Sequence, residues 1–156
     1  MHDYQDEMPG GPQLGLIQAG RAVHAAFDAA DEAVARELGV NRSDLRCLNE
    51  LEHGPITPGE IGRRLGLTSG AVTTLIDRLD EAGFVMRAPS KTDRRSSVVA
   101  LQPDAFRRIG PLYKAIASEL VEEFAALPPS ELSAATELFT RLATAVERGS
   151  TRIKDS

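Results

Sequence analysis

Cysteine is nearly missing from this chain. There is one in 156 residues, so no internal disulfide framework can staple the fold, and tryptophan is absent altogether. Aromatic residues amount to only 4%, so a core drawn from the 42% of hydrophobic residues must be aliphatic and alanine-rich, as in helical proteins. No apolar run approaches the roughly 20 residues that cross a bilayer, and no signal-peptide pattern is present, so the expectation is a soluble cytoplasmic protein with no membrane partner. Neither a glycine-rich phosphate loop, nor a nucleophile elbow, nor a zinc-binding spacing occurs, and the expectation is no enzyme, no catalytic residue, no metal and no cofactor. The three histidines are scattered, and His24 and His53 lack the i, i+4 partner or nearby cysteine that would make a metal site. Positive charge is also short: 18 Lys and Arg against 23 Asp and Glu give a net charge of −5.

What is present is concentrated between Thr57 and Leu101. Thr57-Pro58-Gly59-Glu60 reads as a capping box: the Thr57 hydroxyl accepts from the Glu60 amide, Glu60 reaches back to the Thr57 amide, and Pro58 fits the first helical position. Ile61 and Leu65 share one face of the short helix that follows, and Gly66 ends it. Leu67 plugs the turn and Thr68 or Ser69 caps a second helix. In that helix Val72, Leu75, Ile76 and Leu79 fall at i, i+3, i+4 and i+7, a single apolar stripe. The other face carries Ser69, Gly70, Thr73, Thr74, Asp77 and Arg78, and Gly83 ends the helix. Small hydroxyl residues at a helix N-terminus allow close approach to phosphates and base edges, which a recognition helix contacts with that end. Two short strands, Phe84 to Ala88 and Ser97 to Leu101, then flank a basic tip containing Lys91, Arg94 and Arg95. A helix pair followed by a ribbon with a cationic tip is a winged helix-turn-helix: one helix for a DNA major groove, one loop for the adjoining backbone or minor groove. The same geometry also serves protein contacts, so the rival reading is a winged-helix protein-interaction module without specific DNA binding. The exposed cluster Lys91, Arg94 and Arg95 is the feature such a module would not need.

The acidic total does not oppose this reading, because charge acts over about one Debye length, ~8–10 Å. From Glu60 to Arg95 the cations Arg63, Arg64, Arg78, Arg87, Lys91, Arg94 and Arg95 slightly outnumber Glu60, Asp77, Asp80, Glu81 and Asp93. Modest non-specific affinity follows.

The segment LTSGAVTTLIDRL from Leu67, the following DEAGFVMR, and the wing DRRSSVVAL ending in Gln102-Pro103 resemble the MarR family of bacterial transcriptional regulators. Asp93-Arg94-Arg95 in the wing is the most specific part, and the flanking helices extend the likeness over most of the chain. The resemblance implies a mostly α fold with a small β-wing: four helices, a strand-wing-strand ribbon, then two more helices, in an obligate homodimer joined by the first and last helices. It implies one domain over residues 1–156, with the winged lobe at 41–102 and the dimerisation helices at 13–39 and 103–148. By position in the family pattern Ser69, Ala71, Thr73 and Thr74 face the major groove. Arg78 reaches a phosphate or braces the wing through Asp93. Asp93 in turn holds Arg95 for the minor groove, and Arg94 and Lys91 add phosphate contacts. The partners implied are double-stranded DNA carrying an inverted repeat, a second copy of the chain, and a small-molecule effector that releases a repressor.

The rest of the chain fits around this segment. Residues 1–12 read as a mobile or extended tail. Leu14 to Leu38 is a long helix with Ile17, Val23, Phe27, Ala30, Val34 and Leu38 along its stripe, ended by Gly39. Ser43 is expected to cap a helix running to about Glu52, where Cys47 sits beside Leu45, Leu48 and Leu51 as a structural thiol. A helix from Pro103 to about Ala126 carries Phe106, Ile109, Leu112, Tyr113, Ile116, Leu120 and Phe124. A last helix carries Leu132, Leu138, Phe139, Leu142, Ala145 and Val146, with fraying expected from Gly149. Helices with long apolar faces at both ends of the winged segment predict burial against a partner subunit or, in a monomer, against each other, and the resemblance favours the partner subunit.

Overall fold

The computed structural model describes residues 11–89 and 97–154. The order is α1 (Pro12–Leu38), α2 (Arg42–Leu51), α3 (Pro58–Leu65), α4 (Ser69–Glu81), β1 (Val85–Pro89), β2 (Ser97–Leu101), α5 (Pro103–Phe124) and α6 (Pro129–Lys154). This is the mostly α, winged helix-turn-helix order that the sequence predicts. The chain forms two compact units, one of Phe27–Ile116 and the other of the chain up to Ala26 and from Ala117 onward. The first is larger than the winged lobe expected at 41–102, because it takes in the C-terminal part of α1 and the first part of α5.

In the unit Phe27–Ile116, α2, α3 and α4 close around one aliphatic core. Leu48, Leu51, Ile61, Val72, Leu75, Ile76 and Leu79 are buried together with Phe84, Val85, Val99, Ala105 and Ile109. The two strands pair antiparallel with Val85 opposite Leu101 and Arg87 opposite Val99. A feature that periodicity does not reveal is Ile56, which bridges to Val99 through hydrogen bonds of 3.1 and 2.8 Å and so ties the α2–α3 connection to the ribbon. Gln102 holds the base of the ribbon, its amide nitrogen donating to Phe84 O at 2.9 Å and its side chain to Val85 O at 2.7 Å. Arg108 of α5 donates to Ala82 O at 3.0 Å and stacks 3.8 Å above the fully buried Phe84 ring. One arginine therefore satisfies a carbonyl beyond the end of α4 and covers the core residue that follows it. A smaller cluster of Val34, Ala35 and Leu45 joins α1 to α2 and packs against Leu112, Tyr113 and Ile116. There the Tyr113 hydroxyl donates towards Asp31 Oδ1 at 3.0 Å and accepts from Asn49 Nδ2 at 3.1 Å. Burial, then the Asp31 carboxylate, pushes this phenol up to about 12 although its bond with Asn49 acts the other way.

In the other unit α1 and α6 approach closely at Gly20, where a Cβ would lie 2.7 Å from Leu142 Cδ2. Among the described side chains of α6 none is buried in the single chain. Phe139, Val146 and Ile153 are 54, 61 and 78% exposed.

Several local expectations change. α2 is capped by Asn41, not Ser43: the Asn41 side chain accepts from Asp44 N at 2.9 Å and the Asp44 carboxylate accepts from Asn41 N at 3.3 Å. An acid three residues past the cap completes a reciprocal box that Ser43, already inside the first turn, cannot make. α1 begins at Pro12 and not Leu14, β1 begins at Val85 rather than Phe84, and α5 stops at Phe124 rather than near Ala126. α6 does not fray at Gly149 but continues to Lys154, with Ser150 and Thr151 hydroxyls donating to the carbonyls of Val146 and Glu147. Of the tail expected over residues 1–12, residues 1–10 lie outside the described residues and Pro12 is already the first residue of α1. No described helix is long and apolar enough to cross a membrane.

Candidate nucleic-acid interface

The helix pair α3–α4 is set by local chemistry at its ends. Thr57 Oγ1 accepts from Glu60 N at 3.2 Å with Pro58 following, and Gly66 takes the left-handed conformation, φ 70°, that reverses the chain after α3. The return arm of the expected capping box is not made. The Glu60 carboxylate instead accepts from Arg63 at 2.9 and 2.5 Å and from Arg64 at 2.7 Å, because two guanidinium donors outcompete one amide. These hydrogen bonds hold the Glu60 carboxyl down to about 2. Arg64 spans further to Glu50 of α2 at 2.8 Å. Thr68 caps α4, accepting from Ala71 N at 3.4 Å, and Gly83 at φ 73° ends the turn beyond it.

α4 buries Val72, Leu75, Ile76 and Leu79 and exposes Ser69, Gly70, Ala71, Thr73, Thr74, Asp77 and Arg78. The hydroxyls of Thr73 and Thr74 donate to the carbonyls of Ser69 and Gly70 at 3.0 and 3.1 Å. With the proton committed to the helix, each hydroxyl presents lone pairs outward, beside an exposed methyl. Such a face accepts from exocyclic amino groups and packs on thymine methyls. At Gly70 a Cβ would meet nothing within 4 Å, so no intramolecular contact requires the bare backbone there.

Arg78 is paired within the chain. Its Nε and Nη2 donate to the two oxygens of Asp44 at 2.9 and 2.5 Å, linking the last turn of α4 to the first turn of α2. Asp44 holds the guanidinium more firmly protonated than usual. Arg87 of β1 pairs with Asp77 of α4, so the ribbon is tied to the exposed face of the helix. Lys91, Asp93, Arg94 and Arg95 lie outside the described residues, as does any brace between Arg78 and Asp93. What sequence reasoning missed is the pairing of Arg78 with the buried Asp44 and of Arg87 with Asp77. Asp44 had a local signal, the acid three residues after Asn41; Asp77 and Arg87 are joined only by the fold.

Cys47 is fully buried in α2, and its thiol is pushed up to about 12 by burial and then by the charges of Asp44 and Glu50. That is the chemistry of a packing residue. Among the described residues no group of three His, Cys, Asp or Glu side chains is placed to hold a metal ion.

Three helices, a capped turn, an exposed hydroxyl-bearing helix face and a two-stranded ribbon define the winged helix-turn-helix class. The MarR family's sequence profile matches residues 38–96. A Bacillus subtilis protein named as the uncharacterized HTH-type transcriptional regulator YkoM is 33% identical over 115 residues, 71% of this chain and 75% of that one. A second from the same organism, the uncharacterized HTH-type transcriptional regulator YcgE, is 36% identical over 92 residues, 58% of this chain and 60% of its own length. The alignment thus spans about three-fifths of YcgE. The fold is shared with a MarR family protein from Bacillus stearothermophilus, at a TM-score of 0.71 and 18% identity over 90% of this chain and 99% of that one. The chain belongs to the MarR family.

Proposed function

We propose that this protein is a cytoplasmic DNA-binding transcriptional regulator that acts as a homodimer on an inverted-repeat operator. The observation that carries the reading is the outward face of α4, where Ser69, Gly70, Ala71, Thr73 and Thr74 offer small, hydroxyl-rich contacts to a major groove. Ser69 meets a phosphate; Ala71, Thr73 and Thr74 lie against base edges. Lys91, Arg94 and Arg95 of the wing reach the flanking backbone and minor groove, with Asp93 orienting Arg95. The relatives' names as HTH-type transcriptional regulators support the same reading.

Dimerisation rests on α6. A 26-residue helix with an apolar side and no buried described residue is stable in water when a partner covers it, and a second copy is the partner a closed two-fold assembly supplies. Two-fold symmetry then sets the half-sites about 34–36 Å apart. Occupancy of the operator represses, and a small-molecule effector that binds the DNA-incompetent state better releases it.

The test is fluorescence anisotropy of the purified protein on pooled genomic fragments, with the mass in solution measured alongside. A dimer that selects one fragment, loses it on Arg95→Ala and Thr73→Ala, and remains a dimer supports the proposal. Absence of selection at every salt concentration, with a protein partner captured instead, establishes the interaction-module reading.

A further inference from the structure

Asp44 is the buried charged residue among those described, at 1% exposure, and it faces Arg78 across the α2–α4 contact. Both its oxygens are engaged: Oδ2 accepts from Asn41 N at 3.3 Å and Arg78 Nε at 2.9 Å, and Oδ1 accepts from Arg78 Nη2 at 2.5 Å. A carboxylate is costly to bury unless it is paired and hydrogen-bonded, so the site depends on Arg78 being present. The pair is a two-pronged fork, whose geometry fixes direction as well as distance.

Its place on the helix gives that geometry a consequence. At about 100° per residue, Arg78 stands at one margin of the buried stripe of α4 and Ser69 lies about half a turn away, at the other. Packing of Val72, Leu75, Ile76 and Leu79 is non-directional and leaves the helix able to roll. A roll of about 20° on a helix of about 5–6 Å side-chain radius would carry an outward side chain some ~2 Å from its mark. The fork to Asp44 resists that roll, because α2 is itself fixed in the core by Leu45, Leu48 and Leu51.

We infer that Asp44 and Arg78 are a positioning pair that sets the roll of α4, and that Arg78 acts on DNA through Asp44 rather than as a phosphate contact. The inference takes the DNA-binding reading as its premise. Four consequences separate it from a direct contact. Asp44→Asn, which touches no DNA, weakens operator binding, as Arg78→Ala does, each about tenfold or more, the scale on which ångström misplacement acts. The double variant is no weaker than the worse single one. The slope of log affinity against log salt stays at the wild-type value, whereas loss of a phosphate contact makes it shallower by about one per protomer. Arg78→Lys, which keeps the charge and loses the fork, behaves like Arg78→Ala.

Affinities are measured where circular dichroism shows every variant fully folded, so that loss of fold is not read as loss of pose. A shallower slope in Arg78→Ala with Asp44→Asn binding as tightly as wild type overturns the inference, and so does an Arg78→Ala protein that binds normally. A second measurement needs no DNA. The backbone amide resonances of Ser69–Thr74 are expected to shift in Arg78→Ala, although the substitution lies in a later turn. Unshifted resonances overturn the positioning role whatever the protein does with DNA. Shifted resonances in a protein that selects no DNA fragment sustain the pose and reject the regulator reading instead.

Discussion

Salt is the perturbation that shows which cations the DNA meets. The described arginines between Glu60 and Pro89 each face a carboxylate of their own chain: Arg63 faces Glu60, Arg64 faces Glu60 and Glu50, Arg78 faces Asp44, and Arg87 faces Asp77. An arginine that leaves a carboxylate for a phosphate exposes that carboxylate to a counterion of its own, so the exchange releases little net salt. In the proposed interface the cations that displace counterions are those of the wing, Lys91, Arg94 and Arg95, and a homodimer carries two sets. With about −0.9 per neutralised phosphate, the slope of log affinity against log salt is then about −5. If all the cations from Arg63 to Arg95 met phosphates in both protomers, the slope would be about −13. Anisotropy titrations of one operator duplex over a series of potassium chloride concentrations measure it directly. A slope steeper than about −10 would refute the reasoning, because it would require the exchange of internal carboxylates for phosphates to release net counterions.

Three further outcomes follow from the same structure. Gly70 is helical without a positive φ and has open space around it, so Gly70→Ala should raise stability in urea by about 0.5–1 kcal/mol. It should at the same time weaken operator binding; undiminished affinity would mean that DNA keeps clear of that turn. The Glu60 carboxyl is held at about 2 in the fold, below the ~4.3 of an unfolded chain. Its stabilisation is therefore complete above the unfolded value and is lost as pH falls through the folded one. Wild type should lose more stability than Glu60→Gln in low-salt urea titrations between about pH 5 and pH 2, and equal losses would contradict the pairing. Cys47, with its thiol near 12, should resist alkylation at about pH 8 in the native protein and react fully in urea; fast native labelling would show a thiolate the fold does not provide.

The legible parts of this fold are those whose causes lie within one or two turns of chain. Thr57, Gly66, Thr68 and Gly83 each punctuate the backbone through a cap or a positive φ that depends on near neighbours, and all act as their residue types predict. The spacing of Val72, Leu75, Ile76 and Leu79 likewise specifies a buried stripe before any partner is known. The Glu60 arm and the α2 cap depart from the local expectation because two local chemistries compete there. In one case a pair of arginines drew off the carboxylate, and in the other Asp44 favoured Asn41 over Ser43. The links between distant residues were not legible. Arg78 meets Asp44 across 34 residues, Asn49 meets Tyr113 across 64 and Tyr113 meets Asp31 across 82. Neither end of such a link points to the other until the fold brings the two together.

The two pairs on α4 are chemically alike and should answer oppositely to the same substitution. Arg78 meets a carboxylate that is buried, with 2% of its side chain exposed, whereas Arg87 meets an Asp77 carboxylate that is 56% exposed. A pair open to water is worth little, so Arg87 leaves Asp77 readily when a stronger anion arrives, and Asp77 then repels the phosphate that Arg87 approaches. Asp77→Asn removes that repulsion and frees a cation beside the outward face of the helix; operator binding should tighten, most at low salt. Asp44→Asn removes one unit of negative charge from the same lobe, yet binding should weaken, because the lost charge is the anchor of the helix and not a competitor for the DNA. If affinity simply tracked net charge, both variants would bind more tightly. Parallel titrations of the two in one buffer decide the matter, and a tighter Asp44→Asn complex would sink the distinction between an anchoring carboxylate and a competing one.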